Sequence, residues 1–470
     1  MQTETTLPEI QKIHAGQLDN FRAVGKSIAK ERIVKLKKFK RALLSKRKAL
    51  HDAMWHDFKK PPAEVDLTEI YTVTSEIDFT VKRLAAWMRS KRVDTPITML
   101  GATSKVVYEP KGMALVIAPW NYPVLLTFAP LVSAVAAGNT VILKPSEFTT
   151  ATVTVIKQIV EAVFDKNEVA VVTGGVAVSQ SLLSLKFDHI FFTGAPEIGK
   201  IVMEAAAKNL TSVTLELGGK SPVIIDETAN INAIVARIVW AKFINAGQTC
   251  LAPDYVFVHE SKKAAFLKAI IVQLEKNYGK NALESSDYAR IINKKHFQRL
   301  KGYVDHTLSM GAKAIYGGVM NASENYIEPT VLDDVPLESA VMEHEIFGPI
   351  LPVLGYTDEN KVVELINSKE KPLALYIYSK SKKNITFFMK NTSAGGGCIN
   401  MSAIHIGNPY LPFGGVNNSG IGKSNGHYGF LEFSNERAVM KQHIPSIVQL
   451  LSPPYTSFKQ RLVDLTLKWF

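Results

Sequence analysis

Cysteine is nearly missing from this chain: 470 residues hold two, Cys250 and Cys398. Two thiols make no disulfide framework, so a reducing compartment is the simpler setting and a cytoplasmic location is expected. Long hydrophobic runs are missing as well. None reaches the roughly 18 residues that a membrane span needs. The opening Met1-Gln-Thr-Glu-Thr-Thr has no apolar stretch behind a basic start, so no secretory signal is expected. No Gly-x-Gly-x-x-Gly follows a predicted strand, and the common dinucleotide fingerprint would pass this chain by. Internal repeats and low-complexity tracts are absent, and no metal is expected.

Acidic residues are the minority charge, 43 against 55 lysines and arginines, for a formal net charge of +12. Much of the surplus lies between Lys26 and Lys48, including Lys35, Lys37, Lys38, Lys40 and Arg41. Leu36, Leu43 and Leu50 are interleaved at helical spacing, which marks the solvated face of a helix. No nucleic-acid signature accompanies it, so no nucleic-acid partner is expected. Peripheral contact with an anionic membrane stays open. With 46% hydrophobic and 21% charged residues the balance is globular. The length predicts more than one core.

The early chain reads as helical from about Ser27 to Phe58, ended by Pro61-Pro62, and again from about Ala63 to Arg89. Residues 96–110 read as a β-hairpin around Gly101-Ala102. From Gly112 strands and helices alternate. Strands are predicted at 113–118, 140–143, 169–172 and 187–192, with helices at 125–137, 149–163 and 197–208. Short apolar strands between helices predict a parallel sheet covered on both faces, hence a doubly wound nucleotide-binding unit. A second α/β region starts after Gly219, with a helix at 233–243, a strand at 255–259 and a helix at 264–278. Glu343–Pro349, Ala394–Gly397 and Pro412–Gly415 read as loops with room for close backbone approach. The last stretch, 461–470, reads as a short apolar helix or strand.

Cys250 closes the turn Asn245-Ala-Gly-Gln-Thr-Cys250, just after Thr214-Leu-Glu216-Leu-Gly-Gly-Lys220 and well after Pro119-Trp-Asn121-Tyr-Pro123. A thiol, a carboxylate and a side-chain amide supply one nucleophile, one base and one hydrogen-bond donor, a minimal set for acyl chemistry at a carbonyl. Singly, each has a plainer reading: a small buried hydrophobe, an ion-pair partner, a turn residue. Gly194-Ala-Pro-Glu-Ile-Gly199 opens a helix after a strand, where backbone N–H groups suit a pyrophosphate. Lys144-Pro-Ser-Glu147 follows another strand. Its carboxylate could take ribose hydroxyls, or the two charges could pair on a surface turn.

Taken in order, Pro-Trp-Asn-Tyr-Pro, Thr-Leu-Glu-Leu-Gly-Gly-Lys, Gly-Gln-Thr-Cys, Glu-Ile-Phe-Gly-Pro and Leu-Pro-Phe-Gly-Gly-Val resemble the aldehyde dehydrogenase superfamily from about residue 20 to 445. Gln-Thr-Cys-Leu-Ala-Pro-Asp-Tyr and Ile-Phe-Gly-Pro-Ile-Leu-Pro are similar to its class 3 branch, which includes fatty aldehyde and coniferyl aldehyde dehydrogenases. The resemblance implies Cys250 as nucleophile, Asn121 with the Cys250 backbone N–H as oxyanion donors, and Glu216 as the base that activates water. The apolar neighbours of Glu216 should raise its pKa. It implies cofactor contacts from Trp120, Lys144, Glu147, Gly194, Gly199, Glu345 and Phe347, and a substrate pocket touched by Tyr122 and Thr249. The cofactor expected is NAD with NADP tolerated, since Glu147 should repel a 2′-phosphate.

The implied fold is α/β and aldehyde dehydrogenase-like. A doubly wound parallel-sheet NAD-binding domain (1–94 and 112–218) adjoins an α/β catalytic domain (219–430). A small β oligomerisation arm (95–111 and 431–447) and a C-terminal tail (448–470) complete it. The implied partners are a small-molecule aldehyde, medium or long-chain aliphatic or aromatic, and a second copy in a homodimer.

Two departures stand out. Ala195 stands where many members have serine, and Val416-Asn-Asn-Ser-Gly-Ile-Gly-Lys-Ser-Asn-Gly426 lacks the more usual Gly-x-Gly after Phe-Gly-Gly. The long hydrophobic tail of membrane-bound members is also missing, and the tail is expected to fold over the substrate mouth as an apolar wall. The competing readings are a CoA-acylating dehydrogenase, against which Glu216 argues, and a non-catalytic binding relative, against which the intact trio argues.

Overall fold

The computed structural model describes residues 4–444 and 452–469. Residues 1–3, the last part of the expected arm (445–447), the start of the tail (448–451) and Phe470 lie outside the described residues.

The N-terminal third is helical. α1 (Leu7–Gly25) has only a narrow inner stripe, Ile10 and Ile13 with Gln17, so its periodicity is faint in the sequence. Gln17 is nonetheless fixed, donating to the Val141 carbonyl at 2.9 Å. The helix expected over 27–58 is two, α2 (Ala29–Ser45) and α3 (Arg47–Phe58), parted at Lys46, where φ −100° and ψ 9° leave the helical region. α3 ends on Lys59 at φ +53°. Pro62 then opens α4 (Pro62–Val65), a position where its missing N–H is not needed. A π-helical turn, Asp66–Ile70, leads into α5 (Tyr71–Trp87).

The hairpin expected around Gly101 is displaced. Its first strand is β1 (Lys91–Val93), which pairs antiparallel with β2 (Ala102–Pro110). Residues 97–99 form a 3₁₀ turn behind Pro96, which has no N–H to give a ladder.

The first sheet holds β3 (Met113–Ile117), β4 (Thr140–Lys144), β5 (Val169–Val171), β6 (His189–Thr193) and β7 (Ser212–Glu216). Its helices are α6 (Pro123–Ala137), α7 (Thr150–Glu161), α8 (Val176–Leu183) and α9 (Pro196–Ala207). These strands are parallel, and β3 stands at the point where the order reverses: β7-β6-β3-β4-β5. One apolar core fills each face of the sheet, against α2, α3, α5, α6 and α7 on one side and against α1, α8 and α9 on the other.

The second sheet starts with β8 (Pro222–Ile225), then α10 (Ile231–Phe243), β9 (Tyr255–His259), α11 (Glu260–Tyr278) and α12 (Lys294–Ser309). β10 (Lys313–Tyr316), a ribbon of β11 (Met320–Asn321) and β12 (Tyr326–Ile327), and β13 (Thr330–Asp333) follow. α13 (Ala340–Glu343), β14 (Ile350–Tyr356), α14 (Glu359–Asn367), β15 (Ala374–Tyr378) and α15 (Lys382–Asn391) lead to β16 (Gly396–Ile399). The order is β10-β13-β14-β9-β8-β15-β16, parallel apart from β10. The run Ala394–Gly397, expected as loop, feeds its last two glycines into β16. A Cβ on Gly397 would lie 2.2 Å from the Leu375 carbonyl, so the strand can approach this closely only without a side chain there.

The chain then crosses back. β17 (Gly420–Ile421) pairs antiparallel with β7, and α16 (Gly426–Glu432) packs on α5 and α6. β18 (Ser434–Gln442) joins β2 to build the three-stranded arm β1-β2-β18. Among the described residues no helix is long and apolar enough to cross a membrane. The tail forms α17 (Ser457–Trp469), but none of its residues is buried, and Phe458, Leu465 and Trp469 are 67%, 58% and 70% exposed. The wall expected of this segment is therefore not formed.

Candidate active site

Ligands of doubly wound sheets sit beyond the carboxyl ends of the strands, at the reversal of strand order. Here β3 and β6 flank that point. β3 runs into Trp120 and Asn121, and β6 into Thr193 and Gly194. β7 ends on Glu216, and the second sheet faces it with Cys250, Glu345 and Phe347. These residues line one cleft of about 700 Å³, within the ~300–1,000 Å³ usual for cofactor sites.

Three consecutive left-handed residues, Asn245 (φ +55°), Ala246 (+51°) and Gly247 (+71°), shape the turn that carries Cys250. Two of them are not glycine, a strained arrangement that the surroundings must hold. Gln248 does much of this. Its Nε2 donates to the Asn245 and Arg290 carbonyls, both at 3.0 Å, and its Oε1 accepts from the Ile292 N–H at 3.0 Å. Asn121 Nδ2 donates to the Gln248 carbonyl at 3.0 Å, and Asn245 Nδ2 returns a bond to the Asn121 carbonyl at 2.9 Å. One of the two Asn121 amide hydrogens is thus used to aim the other. Burial, followed by the charges of Glu345 and Glu216, pushes the partly buried Cys250 thiol up to about 12. The N–H groups of Cys250 and Leu251 pull the other way.

Glu216 is locked at both edges of its strand. Its carbonyl accepts from the Gly194 N–H at 3.0 Å, and the next N–H, of Leu217, donates to the Ser419 carbonyl at 3.1 Å. Burial raises its carboxyl to about 7, opposed by a hydrogen bond that the Ser424 hydroxyl donates to Oε1. The rise expected from its apolar setting is present. A carboxylate titrating near neutrality is suited to take a proton from water.

Several features of the cleft fit a dinucleotide. The Thr193 hydroxyl is buried on the cleft wall and has no hydrogen-bond partner among the described residues. Gly194 and Gly218 are bare: a Cβ would meet the Phe192 ring at 2.5 Å or Glu345 Oε2 at 2.0 Å. α9 starts at the wall with Ala195, Pro196 and Glu197. Pro196 has no N–H, and those of Ile198 and Gly199 bond the Ala195 carbonyl at 3.1 and 3.0 Å, which leaves few backbone donors at this start for a phosphate. Trp120 and Phe347 pack edge to face, 5.5 Å apart. Phe347 is held at φ +47°.

Not every predicted residue arrives in the cleft. Trp120, Asn121, Gly194, Glu216, Cys250, Glu345 and Phe347 line it. Lys144 and Glu147 pair with each other at 3.0 Å past the end of β4, outside that lining. Gly199 lies within α9, where a Cβ would press 2.7 Å from Leu217, so its smallness serves helix–strand packing. Tyr122 and Thr249 bond to one another at 2.7 Å behind the site and do not line the cleft. A small side cavity of about 60 Å³, lined by Tyr71, Leu125 and Ala129 among others, shares Glu216, Leu126, Ile406 and Phe413 with the cleft.

Sequence reasoning missed His296, Arg299 and Ser424. His296 packs 5.1 Å from Trp120, and burial lowers its imidazole to about 4. Arg299 donates to the carbonyls of Ile346 (2.8 Å) and Phe347 (3.3 Å). Both come from α12, whose Lys-Lys-His start looks like a solvated face. Ser424 lies in the stretch whose departure from the usual glycine pattern was visible, but its hydroxyl carries no motif.

Comparison with known proteins gives a consistent result. Residues 3–439 match the aldehyde dehydrogenase family. The chain is 44% identical, over 89% of its length and 91% of the other, to 4,4'-diaponeurosporen-aldehyde dehydrogenase of Staphylococcus aureus. It is 42% identical to aldehyde dehydrogenase family 3 member B3 of Mus musculus, over 93% of this chain and 90% of that one. Among solved structures, the substrate-bound state of Staphylococcus aureus AldH superposes with a TM-score of 0.93 at 41% identity, covering 97% of this chain and 99% of that chain. PnpE in complex with nicotinamide adenine dinucleotide superposes with a TM-score of 0.85 at 26% identity, covering 94% and 91%.

Proposed function

Because this chain belongs to the aldehyde dehydrogenase family, of the class 3-like branch, it oxidises aldehydes to carboxylic acids, and we propose that Cys250, Asn121 and Glu216 carry the chemistry with NAD as oxidant. The observation behind this reading is that all three residues line one cleft.

An aldehyde carbon must become tetrahedral before it can release hydride. Cys250 reacts as the thiolate, its proton given up to solvent water; Sγ forms a bond to that carbon, and the carbonyl pair moves onto oxygen. The second Asn121 amide hydrogen and the Cys250 N–H stabilise that oxyanion, a contribution of about 10²–10³ in rate for each donor in comparable sites. Trp120, Thr193, Gly194, Glu345 and Phe347 would hold NAD, which would supply a two-electron hydride acceptor, and loss of hydride from the tetrahedral carbon would leave a thioester on Cys250. Glu216 then removes a proton from water, the oxygen attacks the thioester carbon, and the C–S bond breaks to release acid and thiolate. A CoA-acylating route would not need this base.

NAD is the cofactor proposed, with NADP tolerated: Glu147 would repel a 2′-phosphate only where that group reached past the cleft lining to the Lys144–Glu147 pair, whose lysine offsets the charge. Medium or long-chain aliphatic or aromatic aldehydes are the substrates proposed; the small side cavity beside Glu216, with Leu125, Leu126, Ala129 and Phe413 in its wall, has room for only a few of their carbons. The arm, with Val93, Leu100 and Met440 exposed, supports a homodimer, and two free thiols suit the cytoplasm. The test mixes protein, NAD and hexanal without CoA and follows the absorbance of the reduced cofactor. Turnover is expected, and Cys250→Ala should abolish it while the cofactor still binds. Activity in that variant overturns the mechanism, a higher kcat/KM with NADP overturns the cofactor choice, and a flat response from propanal to decanal overturns the substrate class. Cross-linking or light scattering that finds monomer alone overturns the dimer.

A further inference from the structure

A lysine and two glutamates lie behind the site on residues that belong to no motif. Lys60 and Glu69 are both 0% exposed, and Lys60 Nζ donates to Glu69 Oε1 at 2.6 Å. An ion pair taken wholly out of water is a poor source of stability, since apolar residues of like size often do as well or better. The other bonds of this pair point to what it does.

Glu69 Oε2 accepts from the Val124 and Leu125 N–H groups, at 2.9 and 3.0 Å. These are among the free donors at the start of α6, directly after Asn121 and Tyr122. Lys60 Nζ stands 3.8 Å over the Tyr122 ring, and the Tyr122 hydroxyl bonds Thr249, the neighbour of Cys250. Glu69 reaches this place from the π turn Asp66–Ile70, whose extra residue shifts the register of the helix; such turns are frequent at functional sites. On the other side Glu64, from α4, accepts from the Asn245 N–H at 3.0 Å, and Asn245 is the first left-handed residue of the Cys250 turn. The Phe58 carbonyl adds a strut by accepting from the Arg290 N–H at 2.8 Å. One short stretch, residues 58–69, therefore grips both walls of the site: α6 of the first sheet's half and the thiol turn of the second's.

We propose that Lys60, Glu64 and Glu69 form a buried clamp that sets the spacing between the Asn121 amide and Cys250. They touch neither substrate nor cofactor and are positioning residues; the inference rests on the roles given above to Asn121 and Cys250. The strained thiol turn cannot hold its own geometry, and the oxyanion donor and the thiol come from separate sheets. Errors of about 1 Å in such a pair cost roughly 100-fold in rate.

The test compares Glu69→Gln, the neutral pair Lys60→Met with Glu69→Gln, and Glu64→Leu in the full chain. Each is measured for melting temperature, kcat, KM, and the rate at which iodoacetamide alkylates Cys250, a reaction that builds no oxyanion. Glu69→Gln strands a buried cation and should lower both stability and kcat. The neutral pair should recover the wild-type melting temperature yet stay about 10- to 100-fold down in kcat, with KM and alkylation within about twofold of wild type. Wild-type kcat in the neutral pair would make the clamp merely structural. Alkylation that falls in step with kcat would place the effect on the thiol alone and also overturn the spacing argument. If the neutral pair does not fold, the partly buried Glu64→Leu decides by the same two readouts. Asn121→Ala and Cys250→Ala serve as controls. Activity retained there would defeat the proposed mechanism, whereas dead controls beside a fully active neutral pair defeat the clamp alone.

Discussion

Replacing Ser424 by alanine removes the hydroxyl that donates to Glu216. That bond favours the carboxylate, so its loss must raise the Glu216 pKa above its present value of about 7. A hydrogen bond to a charged group contributes about 1.5–3 kcal/mol, and 1.36 kcal/mol is one pH unit, so the midpoint should rise by about one to two units. A water molecule in place of the hydroxyl would restore part of this and favours the lower figure. The proposed role of Glu216 requires the ionised form. At neutral pH its ionised fraction would fall from about a half to about a tenth, and thioester hydrolysis would slow roughly fivefold. At high pH the variant and the parent should converge, because both carboxyls are then ionised. The assay is the pH profile of kcat under conditions where hydrolysis limits turnover, with the burst of reduced cofactor as the check on that condition. A profile that stays in place or moves to lower pH refutes the argument. A uniform loss at all pH values assigns Ser424 to shape instead of ionisation.

Glu216→Gln should retain a burst of reduced cofactor followed by a slow steady phase; equal loss of both phases would remove Glu216 from the hydrolysis step. Glu345→Gln takes away the charge that, after burial, does most to hold the Cys250 thiol protonated. Burial raises Glu345 itself to about 8, so alkylation of Cys250 in the free enzyme should quicken above that pH while the KM for NAD rises, and slower alkylation there would contradict the assigned cause. Deleting residues 455–470 should leave KM for decanal and propanal alike, since α17 contributes nothing to the cleft in this structure. A rise for decanal alone would restore the wall that the sequence suggested.

Four strands of the first sheet, β3 to β6, and one of the second, Tyr255–His259, were legible because buried parallel strands are short, apolar and bounded by glycine or by helical periodicity; β7, β8 and the later strands of the second sheet were not assigned. α1 was not, because three inward residues among polar neighbours leave almost no stripe. Cys250, Glu216 and Asn121 were legible from motif order and meet in one cleft. Lys144 and Glu147 share a motif with each other and pair with each other, outside the cleft lining. Arg299 and Ser424 act through backbone carbonyls and a single hydroxyl, contacts that depend on distant chain segments and leave no mark on local sequence. Lys60 and Glu69 look like ordinary surface charges beside Pro61-Pro62, and only the packing reveals that neither touches water.

The return of the chain to β7 through Gly420–Ile421 also governs how the molecule is made. Until those residues emerge, the strand ending on Glu216 is the open border of its sheet, with unpaired backbone groups that invite another chain. Pairing β7 with β17 joins residues about 200 positions apart, and such long-range closure is slow compared with local folding. Synthesis therefore runs through a long interval in which the thiol turn already exists, but the base lacks both its bordering strand and the Ser424 hydroxyl. Truncated products that stop before Gly420 should be sticky and unable to release a bound acyl group. The two-residue strand works as a late stitch of biosynthesis, ahead of α16 and β18: it blunts an aggregation-prone edge in the same movement that completes the hydrolytic half of the site.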